Sequence, residues 1–130
     1  MNREQALDQF WNSFDVPAYD STTVPDARDL EEMGINPFPR ITYEVSINEF
    51  GTPTTFYVSL WDKNTSWARI TELSHEIEEK LSDGGYVVRY DGGVAWLKKG
   101  TPFMQRMGEE DDSIRRIIMN VEIEYLEGRK

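Results

Sequence analysis

Between residues 114 and 126 the chain alternates. Ile117, Met119, Val121, Ile123 and Tyr125 fall on one side, and Arg116, Asn120, Glu122 and Glu124 on the other. A period of two over that length is a half-buried strand, because successive side chains of extended backbone point to opposite faces. Such a strand needs neighbours for its backbone groups and a cover for its apolar side, so the chain has to build a sheet with one face turned to a core.

The same period recurs over residues 40–48, where Ile41, Tyr43, Val45 and Ile47 oppose Thr42, Glu44, Ser46 and Asn48. A turn through Gly51 and Pro53 leads to a second strand at 55–62 with Phe56, Val58 and Leu60 on one face, and the two read as an antiparallel hairpin. Two shorter strands, 86–91 and 94–99, meet at the tight-turn signal Asp91-Gly92-Gly93. Helical spacing appears twice. Leu7, Phe10, Trp11 and Phe14 form a stripe over 3–14 that Val16-Pro17 stops. Trp67, Ile70, Leu73, Ile77 and Leu81 form another over 66–81, with Asn64, Thr65 or Ser66 as its cap and Gly84-Gly85 at its end. The order of elements predicts an α+β fold, a mostly antiparallel sheet with two helices packed on one face.

No linker or repeat divides residues 1–130, which read as a single domain able to bury about two thirds of its unfolded surface. With 4 Trp, 6 Tyr and 6 Phe the core is expected to be aromatic, and Trp61, Trp67 and Trp96 are expected inside it. Two connections are unusual. Residues 16–39 hold Pro17, Pro25, Pro37 and Pro39 and far exceed the roughly 4–6 residues of an ordinary connection. Their apolar anchors Val24, Leu30, Met33, Ile35 and Phe38 point to an arm that reaches a neighbouring subunit. Residues 100–113 form a second loop, in which Phe103, Met104, Gln105, Arg106 and Met107 make an apolar and cationic patch. Side chains of these kinds are favoured at protein interfaces, although Phe103 could equally tuck back over the sheet edge.

Enzymatic chemistry finds little footing. With 0 Cys there is no disulfide, thiolate ligand or cysteine nucleophile, and His75 is the one histidine, placed beside the apolar stripe of its helix. The run Glu109, Glu110, Asp111, Asp112 is acidic, but adjacent loop carboxylates do not converge on one ion by adjacency. The glycine pairs lack phosphate-cradle spacing and no serine stands in a nucleophile elbow, so no catalytic residue, cofactor or metal is expected. The net charge of −10 disfavours phosphate-driven binding of duplex DNA, and no apolar run approaches a membrane span. The acidic, polar start of the chain does not read as a secretory leader.

Several short stretches together resemble the small tail-completion proteins of long-tailed bacteriophages, known as tail terminators or minor capsid proteins. They begin with Phe10-Trp11 through Phe14, Val16-Pro17-Ala18-Tyr19, Val24-Pro25 and Phe38-Pro39-x-Ile41-Thr42-Tyr43-Glu44. Leu60-Trp61, Thr65-Ser66-Trp67 and Gly84-Gly85 continue the match. The most specific pieces are Trp96-Leu97 and Gly100-Thr101-Pro102-Phe103-x-Gln105-Arg106, followed by Asp111-Asp112, Arg115-Arg116-Ile117 to Asn120, and Glu124-Tyr125-Leu126. The resemblance spans nearly the whole chain. It implies a lambda-type tail-terminator fold and a homo-hexameric ring at the head-proximal end of the tail tube, assembled in the host bacterial cytoplasm and carried in the virion. The implied partners are further copies of the chain, the tail tube protein and a head–tail connector protein.

On that reading Phe38, Phe103, Gln105 and Arg106 are the expected contact residues. Glu109, Glu110, Asp111 and Asp112 are candidates to line a lumen through which DNA passes without being trapped. Two other readings stay open. One is a head-completion adaptor on the portal side. The other is an acidic DNA-mimic inhibitor, which the 14 interleaved cations weaken.

Overall fold

In the computed structural model, which describes residues 1–45, 51–109 and 111–128, the chain begins with a reciprocal cap. The Asn2 side chain accepts from the Gln5 amide at 2.8 Å, and the Gln5 side chain accepts from the Asn2 amide at 3.0 Å. Two otherwise orphaned donors are satisfied, and helix α1 (Arg3–Trp11) starts there. Its buried face holds Ala6, Leu7, Phe10 and Trp11. The predicted helix over 3–14 is interrupted after Trp11 by a 3-10 turn, Asn12–Phe14, which Asp15 ends with φ 63°. The Asn12 side chain donates to the Ala18 carbonyl at 3.2 Å and accepts from its amide at 3.0 Å, fixing the start of strand β1 (Ala18–Asp20).

The stretch 16–39 therefore carries structure of its own. Strand β1 is followed by helix α2 (Ala27–Glu32), capped by the Asp26 carboxylate, with Leu30 buried. Strand β2 (Arg40–Tyr43) takes up β1 in parallel, Ile41 donating to the Pro17 carbonyl and Ser21 to that of Tyr43, each at 2.8 Å. Ser46, Ile47 and Asn48, the far end of the predicted strand over 40–48, lie outside the described residues, as does Glu110. The remaining elements are β3 (Thr54–Lys63), α3 (Ala68–Leu81), β4 (Tyr86–Tyr90), β5 (Gly93–Met107) and β6 (Ile114–Glu127). Among the described residues the strands form one sheet in the order β1-β2-β3-β6-β5-β4, antiparallel except for the first pair. The fold is α+β with a mostly antiparallel sheet, as the pattern predicts.

The central strand β6 sets the parity of the whole sheet. Its buried set, Ile117, Met119, Val121, Ile123 and Tyr125, pairs with Leu60, Val58 and Phe56 on β3 and with Leu97 and Ala95 on β5. On β2, Ile41 and Tyr43 extend the layer. Ile70, Leu73, Ile77 and Leu81 of α3 close over it together with the buried face of α1, forming one core. Beyond the last apolar row Asp62 is fully buried, held by Arg69 through Nε at 3.1 Å and through Nη2. The pair is bidentate, with the carboxylate dry and half of the arginine side chain in water.

Two expectations are corrected. The loop expected over 100–113 is for half its length a strand: β5 runs to Met107, and the register shifts between Lys99 and Met104. Gly100, Thr101 and Pro102, which read as a turn, form an irregularity that keeps the strand on β6 rather than leaving it. A Cβ on Gly100 would lie 2.8 Å from the Asn120 carbonyl, and the Asn120 side chain donates to the Pro102 carbonyl at 2.6 Å. The second correction concerns the tryptophans: Trp61 and Trp96 are half-buried outside the core that Trp11 belongs to, while Trp67 is half-buried and packs against that core.

Candidate functional site

Strand parity puts the alternate residues of β2, β3, β5 and β6 on the face turned away from α1 and α3. One cross-strand row there reads Arg40, Trp61, Arg116, Met107, and the next Thr42, Ser59, Ile118, Gln105. Further along, Asn120 stands opposite Tyr57, which is 54% exposed, and Glu124 opposite Trp96. Outward positions of a sheet that meets only water are usually polar. This face instead interleaves aromatic and cationic groups.

The row is held by specific bonds. The Arg116 guanidinium lies 4.3 Å from the centroid of the Trp61 ring, donates to Ser59 Oγ at 3.0 and 3.2 Å, and reaches Glu109 at 3.4 Å. Trp61 Nε1 donates to Thr42 Oγ1 at 2.9 Å, so the indole is fixed from both sides. Lys98 sits 4.1 Å over the Trp96 ring, whose Nε1 donates to the Gly84 carbonyl at 3.0 Å. That approach requires glycine at position 85. Its φ is +83°, and a Cβ there would stand 2.5 Å from Trp96 Nε1 and 2.6 Å from the Leu97 carbonyl.

Against the β2 end the segment after β1 rises as a wall. It leaves a groove of about 420 Å³ between Ser21 and Val24 on one side and Arg40, Tyr57, Trp61, Arg116 and Ile118 on the other. Arg40 donates to the Pro25 carbonyl at 3.2 Å and stacks 5.1 Å from the Phe38 ring, while its Nε is buried with no hydrogen-bond partner among the described residues. Burial pushes the Arg40 pKa down, against the more distant pull of Tyr19 and Asp26. Rigid aromatics, fixed arginines and a concave floor suit the recognition of a protein surface.

The residues expected to make contacts are divided by this geometry. Gln105 is exposed on the aromatic face, opposite Ile118, and Phe38 is half-buried beside Arg40. Arg106 belongs to the helix side of the sheet, where its guanidinium lies 4.8 Å from the Trp67 ring, and Phe103 packs half-buried against the core. Among the described residues the acidic run does not converge on one point. Glu109 pairs with Arg116, and Asp111 accepts from the Ser113 amide and hydroxyl at 2.8 and 2.6 Å, bonds that hold its pKa below the usual value. Asp112 is exposed, and its carbonyl accepts from Arg115 at 2.8 Å. His75 is exposed on α3. No three histidine, aspartate or glutamate side chains gather as a metal site among the described residues, and no described helix is long and apolar enough to cross a membrane.

The sequence pattern does not mark Arg40, Tyr57 or Ser59 as contact residues, and it expects Trp61 in the core. The signal that finds them is parity: once Phe56, Val58 and Leu60 are taken as buried, Tyr57, Ser59 and Trp61 must face the other way. In comparisons with known proteins, no family model and no curated protein matches the chain.

Proposed function

We propose that the protein is a non-enzymatic assembly subunit, a tail-completion protein of a long-tailed bacteriophage that ends growth of the tail tube and joins it to the head. On this reading it works as a homo-hexameric ring, with one surface on the tail tube protein and another on the head–tail connector, and its task is binding rather than chemistry. The observation that carries the reading is the row Arg40, Trp61, Arg116 with its neighbours Ile118 and Tyr57 on a sheet face that neither α1 nor α3 covers. Aromatic and arginine side chains supply most of the binding energy where proteins meet, and a face built from them suits docking. The sequence resemblance, which runs from Phe10 to Leu126, supplies the identity of the structure being completed.

Electron microscopy of particles made by the parent genome with this gene disrupted tests the proposal. Filled heads beside separate tails of irregular or excessive length are the expected result. Heads that leak DNA, beside unattached tails of normal length, would move the protein to the portal side. Normal joined virions would overturn the assembly reading altogether.

A further inference from the structure

We infer that the groove beside β2 receives the acidic end of α2 from a second copy of this chain, residues Glu31 to Ile35, so that Arg40 of one copy meets Glu31 and Glu32 of the next. The inference rests on the reading of the protein as an assembly subunit, and it names the two surfaces through which copies meet.

Arg40 is the reason to look for a ligand. In a chain with 24 acidic residues it has no carboxylate within ion-pair distance among the described residues, although it is half-buried. Its Nε is buried and unbonded, and one backbone carbonyl is the acceptor its guanidinium has found. Asp26 acts on it only from beyond ion-pair distance. A cation taken part-way out of water without a paired counter-charge is unfavourable, and a carboxylate brought in by another molecule offsets that. Arg116, on the same row, is already engaged by Ser59, Glu109 and the Trp61 ring, so Arg40 is the guanidinium with charge to offer. The rest of the groove lining sets apolar and aromatic side chains, Val24, Tyr57, Trp61 and Ile118, among Ser21, Thr42, Ser59 and Glu44, whose carboxylate accepts from the Tyr57 amide at 2.8 Å. The fitting occupant is therefore a short segment that presents carboxylates next to exposed apolar side chains.

The chain carries such a segment. Glu31 and Glu32 are exposed on the last turn of α2, and the chain then turns through Gly34 with φ +78°. Met33 and Ile35 flank that glycine at 71% and 44% exposure, and Met33 is the most exposed large apolar side chain among the described residues. Within one copy both side chains stand in solvent, so they do not occupy their own groove. Charge and apolar character match across the two surfaces, which is what complementary interfaces require.

Sedimentation velocity on the full chain over a concentration series tests the pairing, with circular dichroism as the check on folding. The unaltered chain is expected to associate as concentration rises. Arg40→Glu, and separately Glu31→Arg with Glu32→Arg, should each weaken association by about tenfold or more. Mixed together the two variants should associate again, because one keeps an intact segment and the other an intact groove. Met33→Ser, at a position too exposed to bear on folding, should weaken association as well. A chain that stays monomeric at every accessible concentration overturns the inference, and so does a folded pair of variants that fails to recover on mixing. Variants that associate as the unaltered chain does would remove this pairing while leaving the assembly reading to the particle morphology.

Discussion

Trp11→Ala is expected to lower the unfolding free energy by about 3–5 kcal/mol, the range for a large aromatic cut out of a core. Trp11 is completely buried where α1 meets the sheet. Its ring lies 4.9 Å from Phe10 in an edge contact, 6.2 Å from Tyr43 in a stacked one and 6.4 Å from Phe56, so it joins helix, β2 and β3. Truncation would leave a cavity that none of these ring contacts can close. One term opposes the loss: Trp11 Nε1 is buried without a hydrogen-bond partner among the described residues, and an unpaired buried donor costs about 1–3 kcal/mol. Trp11→Phe removes that donor and keeps the larger part of the aromatic volume, so it should cost less than Trp11→Ala, about 1–3 kcal/mol, the smaller cavity being offset by loss of the unpaired donor. Urea midpoints followed by far-ultraviolet circular dichroism measure both. Equal losses in the two variants would mean that Nε1 is satisfied and the packing argument incomplete.

Alkaline pH should destabilise the fold well before general denaturation of the backbone. Burial pushes the Tyr125 phenol up to about 12, opposed by Arg3 and supported by Tyr90 and Glu4. Tyr43 is raised too, first by burial and then by its hydrogen bond to Asp8, where the phenol donates to the carboxylate at 2.8 Å. Raised values mean that the folded state prefers the neutral phenol more strongly than the unfolded chain does. The stabilisation is therefore complete below the unfolded pKa of about 10 and is lost as pH rises through the folded value. For Tyr125 alone the shift from 10.0 to about 12 sets an upper bound of about 3 kcal/mol on the loss between those limits, lowered by solvent screening of the phenol. Tyrosinate absorbance at 295 nm, recorded beside circular dichroism, should show the last tyrosines ionising together with unfolding. Ionisation of every tyrosine near pH 10 with the fold intact would contradict the assignment.

Much of this architecture is legible in the residues because it is local. The alternation from Ile117 to Tyr125 and the stripe from Ile70 to Leu81 each report burial directly, and both appear where the pattern places them. The misreadings have physical causes. Gly100-Thr101-Pro102 carries the chemistry of a turn, yet a register shift within a strand uses the same residues, and only pairing with Asn120 on β6 distinguishes the two. Strand β1 is three residues long and parallel to its neighbour, so neither periodicity nor a hairpin signal marks it.

As large aromatics Trp61 and Trp96 are expected in the core. Each sits one residue out of phase with buried neighbours, Leu60 for the first and Ala95 and Leu97 for the second, and phase decides on which side of a sheet a residue stands. The candidate site is hidden from a reading by residue type for the same reason. Phe103 and Arg106 attract attention by residue type, whereas Arg40, Trp61 and Arg116 are linked only through cross-strand register, which composition does not contain.

The claim that the uncovered sheet face joins this protein to its partners is tested most directly by complementing the gene-disrupted genome with Trp61→Ala and with Arg116→Ala chains and imaging the particles. Both side chains are outside the main core, so the variants should fold, with circular dichroism and urea midpoints near those of the unaltered chain. Loss of a central aromatic or arginine contact typically costs 2 kcal/mol or more of about −12 kcal/mol in a nanomolar interface. The account predicts folded variants that leave heads and tails unjoined, as the disrupted genome does. Joined, infectious particles in normal yield from either folded variant would contradict it.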